Sequence, residues 1–248
     1  MVIRVVLFFV FMFECLTVEA CIIKLRVAPF EPYMIKHEAG WNGVDIEQAQ
    51  ALVNRLNCQL QFIEAPWARG VSMLKVGKID MMVNVSKTSL RQKFFYFAGP
   101  QRIESIRIVS EAQTIQLVTN WHQLSRLDAI LMRQRGTFFG KRFERLLRQN
   151  DQLRRQMHET VGHDIRLDLI EKGRVDAFVV DMAYFSYLQK TNPNAQNLII
   201  HPLAINDSPV YFAFSKASIS NQQMAQINLA VATLITEGTF NSIMTNYR

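Results

Sequence analysis

Short apolar runs of strand length alternate with segments of helical period along most of this chain, and few folds accept that alternation. Lys24–Val27 is a first strand. The irregular stretch Ala28-Pro29-Phe30-Glu31-Pro32-Tyr33 follows it, where two prolines break any regular element. Asp45–Leu56 places Ile46, Ala49, Leu52, Val53 and Leu56 at helical spacing behind an acid. Cys58–Ile63 reads as a strand, a helix runs through Val71, Met73 and Leu74 to Gly77, and Ile79–Val85 is a buried strand. That is β-α-β-α-β, the pattern of a parallel sheet covered by helices.

A second unit repeats it. Ala129–Met132 is a strand leading through Gly136-Thr137 into a basic helix from about Phe138 to Leu147, with Phe138, Phe139 and Phe143 on its apolar side. A helix at Ile165–Glu171 precedes strand Ala177–Val180, with Asp181 at its carboxyl end. Helix Met182–Gln189, strands Leu198–Ile200 and Val210–Ser215, and a closing helix Ala225–Thr236 complete the reading. The expectation is two α/β units rather than one continuous sheet.

At 248 residues, with 49% apolar and 20% charged residues, the chain has enough material for two modest lobes. Its first twenty residues differ from the rest. Arg4 precedes an apolar run from Val5 to Phe13, and Val18-Glu19-Ala20 ends in a small residue, the layout of a secretory signal peptide cleaved after Ala20. The run is well short of the ~20 residues of a membrane helix. An exported, periplasmic protein is expected.

Cleavage would leave Cys21 and Cys58, both at strand starts. If their strands are neighbours in a parallel sheet, the two residues lie close enough for a disulfide, which an oxidising compartment would form. The alternative is a lipid on Cys21, for which Glu19 is a poor processing residue.

The formal net charge is +7, with many bases between Arg133 and Arg155. No aromatic stacking ladder accompanies them, so a solvated basic helix face is expected rather than a nucleic-acid surface. His37, His122, His158, His163 and His201 show no metal-ligand spacing, and neither a phosphate loop nor a nucleophile elbow is present. No metal or cofactor is expected.

Two charges stand out. Arg91 closes Ser86-Lys87-Thr88-Ser89-Leu90-Arg91, and Asp181 closes Gly173-Arg174-Val175-Asp176-Ala177-Phe178-Val179-Val180-Asp181. A guanidinium holds a carboxylate with two parallel hydrogen bonds, and a carboxylate holds an ammonium. Face to face across a cleft, the pair would suit an α-amino acid. Binding groups of such sheets collect at strand carboxyl ends and helix amino ends, where Arg91, Asp181 and Thr137 all fall. Asp181 is equally placed to cap helix Met182–Gln189.

Gly77-Lys78-Ile79-Asp80, Thr88-Ser89-Leu90-Arg91, Phe97-Ala98-Gly99-Pro100, Arg135-Gly136-Thr137, Gly173-Arg174-Val175-Asp176-Ala177 with Asp181, and Glu237-Gly238-Thr239-Phe240 occur in one order. In that order the chain resembles the bacterial extracellular solute-binding proteins of family 3, periplasmic amino-acid receptors of ABC importers. The resemblance runs from Leu25 to the end. It implies a two-lobed clamshell of the type II periplasmic-binding-protein fold, each lobe a mostly parallel sheet flanked by helices. Lobe one would be 21–108 with 210–248, and lobe two 109–209, joined by two crossing strands.

The resemblance also implies roles. Arg91 would grip the ligand α-carboxylate, with Thr88 fixing its turn and Ser86 offering a donor. Phe30 would stack on the ligand beside Tyr33. Gly136 and Thr137, at a helix start in lobe two, would add donors, and Asp181 would take the ammonium. Asn84 belongs to the same set, and Pro66-Trp67-Ala68-Arg69 marks a sub-branch in which Trp67 faces the cleft. Leu90 stands where the family usually has Glu, and the run from Asp80 to Thr88 is one residue shorter than the usual pattern. The expected partners are an amino acid or related carboxylate and an ABC permease, with the protein a monomer. Relatives of this kind also include dehydratases of prephenate-like acids, for which Glu31 or Glu104 could serve here, and ligand-presenting sensory proteins.

Overall fold

The computed structural model describes residues 21–162 and 165–247, without the side chains of residues 165 and 166. The leader expected at residues 1–20 and the side chain of His163 lie outside them.

Strands β1 (Cys21–Val27), β4 (Cys58–Glu64) and β5 (Met81–Ser86) alternate with helices α1 (Val44–Arg55) and α2 (Trp67–Lys75), after a small hairpin of β2 (Ile35–His37) and β3 (Gly40–Asn42). The short helix α3 (Ser89–Gln92) leads into β6 (Phe95–Glu111). Then come α4 (Trp121–Ser125), β7 (Leu131–Gln134), α5 (Lys141–Gln149), α6 (Asp151–Gln156), β8 (Met157–Thr160), α7 (Ile165–Glu171), β9 (Ala177–Asp181), α8 (Met182–Thr191) and β10 (Leu198–Ile200). Strand β11 (Asn206–Ser215) returns, and α9 (Asn221–Thr236) and α10 (Thr239–Thr245) close the described chain.

The sheet runs β4-β1-β5-β11-β6-β9-β7-β8, with β10 beside β6. Parallel pairs form both flanks, while the long strands β6 and β11 are antiparallel to their neighbours and join the flanks. This corrects the expectation that the two α/β units do not share one continuous sheet. Hydrogen bonding is continuous because β6 and β11 pair from Phe95–Ser215 to Ile106–Asn206.

The cores nevertheless segregate. Ile23, Leu25, Leu52 and Phe212 belong to one cluster, and Trp67, Leu74, Met82 and Val85 to another. Residues 106–205 supply the buried members of two further clusters, where successive strand residues alternate: Ala177 and Val179 face one, Phe178 and Val180 the other. In β5 that alternation breaks. Val83 and Val85 fall in different clusters, with Asn84 between them at φ 58° and a register shift against β11. The kink turns the Asn84 side chain toward the junction of the flanks.

The one-to-one parallel register of β1 and β4 sets Cys21 opposite Cys58, and the two are disulfide-bonded. Cys21 therefore has no free thiol for a lipid. Helix α5 begins at Lys141, not Phe138, because Gly136 and Gly140 both adopt positive φ and keep the segment between them out of the helix. Phe138 and Phe139 thus precede the helix. Lys141, Arg142, Arg145 and Arg148 face solvent, while Arg133 is tied to Glu144 and Glu159. Among the described residues no helix is long and apolar enough to cross a membrane.

Candidate functional site

A cavity of about 50 Å³ lies where the two flanks meet. That is several times the ~10–15 Å³ a single water requires. A wider cavity of about 320 Å³ adjoins it and shares Arg26, Pro29 and Gln134. Of the residues singled out in the sequence, Phe30, Trp67, Asn84, Ser86, Thr137 and Asp181 wall the smaller cavity. Arg91, Tyr33, Thr88 and Gly136 stand behind it.

The Thr88 side chain caps α3 by accepting from the Arg91 N–H at 3.2 Å. That short helix turns the Arg91 guanidinium inward, where it donates to the Ser86 carbonyl at 2.9 Å and the Gly136 carbonyl at 3.2 Å. Trp67 Nε1 donates to the same Gly136 carbonyl at 3.1 Å. The two bonds to the Gly136 carbonyl reach from the first flank to the second. Burial pulls the Arg91 guanidinium down to about 10, against the charges of Glu104 and Glu144.

Thr137 is not at a helix start. Its hydroxyl donates to the Gln134 carbonyl at 2.6 Å, and the helix begins four residues later. A turn closed by Gly136, rather than a helix dipole, positions it.

Asp181 ends β9 and starts α8. Its Oδ1 accepts from the Ala183 and Tyr184 N–H groups at 3.0 and 3.2 Å, a helix cap, and from the Tyr33 hydroxyl at 3.0 Å. Its Oδ2 pairs with Arg102 Nη1 at 3.2 Å, both side chains being almost fully shielded. Sequence reasoning missed Arg102. Its guanidinium lies 3.9 Å from the Tyr33 ring centre, and Nε donates to Asn84 Oδ1 at 2.9 Å. Asn84 in turn donates to Asp45, and Gln101 donates to Asp45 Oδ1 at 2.8 Å. A buried polar chain thus runs Asp45–Asn84–Arg102–Asp181. Burial pushes the Asp45 carboxyl up to about 7 despite Arg102.

Two further charged groups wall the cavity. Glu104 on β6 is half-buried as a residue, but its Oε2 is shut off from solvent and has no hydrogen-bond partner. The Asn206 side chain bonds the carboxyl, and burial pushes it up to about 7 against the pull of Arg102. Arg26 on β1 is 5% exposed; its Nε donates to the Ala65 carbonyl at 2.7 Å and its guanidinium lies 5.5 Å from the Trp67 ring centre. Phe30 stacks on Tyr184 at 5.3 Å and completes an apolar wall with Phe138 and Phe139. An arrangement of fixed charges among aromatic faces, with no grouping of three or more His, Cys, Asp or Glu fit for a metal among the described residues, suits capture of a small polar molecule.

The fold has relatives among solved structures that are too distant in sequence to show more than the fold. A mutant of ArgBP from T. maritima superposes with a TM-score of 0.76 at 20% identity, over 92% of this chain and 94% of that one. An ancestral arginine-binding protein bound to glutamine gives 0.77 at 22% identity, over 92% and 98%. A histidine kinase sensor domain with similarity to periplasmic binding proteins gives 0.78 at 19% identity, over 92% and 95%. No curated protein sequence matches. The family model of the bacterial extracellular solute-binding proteins, family 3, matches residues 21–248, and the chain belongs to that family.

Proposed function

We propose that this protein is an exported binding protein that captures an amino-acid-like solute between two closing lobes for delivery to an ABC permease. The observation that carries the reading is the cavity at the junction of the flanks, walled by Arg26, Phe30 and Glu104 on one side and Thr137, Phe139 and Asp181 on the other. Lobe one comprises residues 21–108 and 210–248, and lobe two residues 109–209. Strands β6 and β11 form the hinge.

Ligand contacts made with both lobes exist only in the closed form, so the ligand shifts the open–closed equilibrium by its differential affinity. Phe30, Trp67, Asn84, Ser86, Thr137 and Asp181 form the contact surface. Arg91, Tyr33 and Gly136 support it and bond the lobes together, and Thr88 caps the turn that carries Arg91. The protein acts as a periplasmic monomer, with the permease reading its closed shape. A thermal-shift screen of L-amino acids and small carboxylates tests this. A hit at a hundred times its Kd stabilises by about 3 kcal/mol, and a screen without any shift would sink the proposal.

One observation favours an enzymatic reading as runner-up. Glu104 is a carboxyl in the cavity pushed up to about 7, the range of a general acid. A fold neighbour described as an ancestral amino-acid-binding protein, a precursor of cyclohexadienyl dehydratase, has a TM-score of 0.73 at 19% identity and covers 91% of this chain and 95% of that one. Incubation with prephenate or arogenate decides: product formation replaces the transport reading. A sensory role, presenting ligand to a membrane receptor, would instead appear as a receptor recovered in a ligand-dependent pull-down.

A further inference from the structure

The family pattern assigns the two ends of an amino acid to Arg91 and Asp181. In the structure both already have protein partners. Arg91 spends Nη1 and Nη2 on the carbonyls of Ser86 and Gly136 and is not part of the cavity wall. Asp181 accepts three bonds at Oδ1 and is neutralised at Oδ2 by Arg102. A ligand ammonium arriving there would meet a carboxylate whose charge is compensated.

Arg26 is in the opposite condition. It is buried, and Nε is anchored on the Ala65 carbonyl. Its aliphatic stem packs against Gly70, where an added Cβ would come within 2.8 Å of Arg26 Cγ. No ion pair or hydrogen bond among the described residues engages its two terminal nitrogens, and it walls both cavities. Glu64, which shares the wider cavity with Arg26, is paired with Lys36, and burial alone accounts for the lowered Arg26 pKa of about 10. A guanidinium anchored through Nε presents the fork that fits a carboxylate. A buried guanidinium without a counter-ion is costly unless an anion joins it.

Glu104, on the same cavity, has an Oε2 shut off from solvent to which none of the described residues donates.

We infer that Arg26 receives the carboxylate of the bound solute and that Glu104 accepts from its donor group, an ammonium or a hydroxyl. This rests on the binding reading above and deepens it. The ligand class is a carboxylate with an apolar body lying against Phe30, Phe138 and Phe139 and a hydrogen-bond donor at its far side. An α-ammonium is accepted but not required, since a hydroxyl satisfies Glu104.

The test measures ratios rather than affinities, so that losses of stability or of closure cancel. Calorimetric Kd values are taken for L-amino acids, their 2-hydroxy acids, and the carboxamides of the best binders. On the wild-type protein the carboxylate binds at least about tenfold tighter than its amide. In Arg26→Met that ratio falls to within threefold of unity. In Arg26→Lys, which keeps the charge but loses the fork, it is intermediate and serves as the readout if the Met variant does not fold. In Glu104→Gln the preference between amino and hydroxy acids changes while the carboxylate–amide ratio holds. A carboxylate–amide ratio kept in both Arg26 variants overturns the inference alone. Wild-type protein that binds none of the probes overturns the solute reading and the inference together.

Discussion

Arg102 and Asp181 form a shielded ion pair, Nη1 to Oδ2 at 3.2 Å, joining strand β6 to the cap of α8. The pair compensates two charges that neither side could bury alone. Removing one partner leaves the other stranded, the case in which buried pairs matter most. Arg102→Met is therefore expected to lower stability by about 3 kcal/mol, read as a urea midpoint. Asp181 retains its backbone and Tyr33 donors, which limits the loss. Because the residues touch, Arg102→Met combined with Asp181→Asn should cost less than the sum of the two. Strict additivity would show that the pair is not coupled.

Acidity acts on two buried carboxyls. Glu104 and Asp45 are each pushed up to about 7, by burial first. Between the ordinary carboxylate range, ~4, and pH 7 the folded protein holds more protons than the unfolded one. Stability therefore falls as pH rises through that window and levels off above it. The contribution is on the order of 4 kcal/mol per group at most. Urea midpoints at pH 5, 6, 7 and 8 should descend, with a shallower slope in Glu104→Gln and in Asp45→Asn. A midpoint that rises over this range would contradict the assignment.

The parallel flanks were legible because their cues are local: Ile46 to Leu56 repeats at helical spacing, and Cys21 and Cys58 open strands that pair in one-to-one register. The capping role of Asp181 was equally local. Strand β6 was not. Gly99-Pro100 interrupts it, and Arg102, Glu104 and Arg107 make it look exposed. Their partners lie far along the chain, at Asp181, Asn206 and Asp207. Arg26 misleads in the same way. It sits between Leu25 and Val27 like an outward-facing base, and only the packing of Gly70 and Trp67 over β1 buries it. The start of α5 escaped because Gly136 and Gly140 set a backbone turn that the apolar spacing of Phe138, Phe139 and Phe143 does not register.

The disulfide closes a loop of sequence separation 37 at the edge of the sheet. Restricting the unfolded chain over that length is worth about 3–4 kcal/mol. Thermal unfolding with and without dithiothreitol should differ by roughly 6–16 °C. The doubly substituted Cys21→Ser, Cys58→Ser protein should start low and not respond to the reductant. An unchanged melting point on verified reduction would remove the bond from the account of stability.

Gly136 separates closure from folding. Its φ of 76° lies in the left-handed region, so Gly136→Ala costs roughly 1–2 kcal/mol in any state that keeps the turn. A Cβ there would also come within 3.1 Å of the Ala68 Cβ, across the junction of the flanks. That second penalty exists only while the lobes are closed. Gly173 supplies the control, having φ 60° with nothing within 4 Å of an added Cβ. Gly173→Ala should lower the melting point without changing ligand affinity. Gly136→Ala should do both, weakening binding by about tenfold if the clash costs ~1.4 kcal/mol, and leaving the scattering radius of the ligand-saturated protein larger than that of wild type. Equal affinities in the two variants would mean that the lobes do not meet at Gly136 in the bound form.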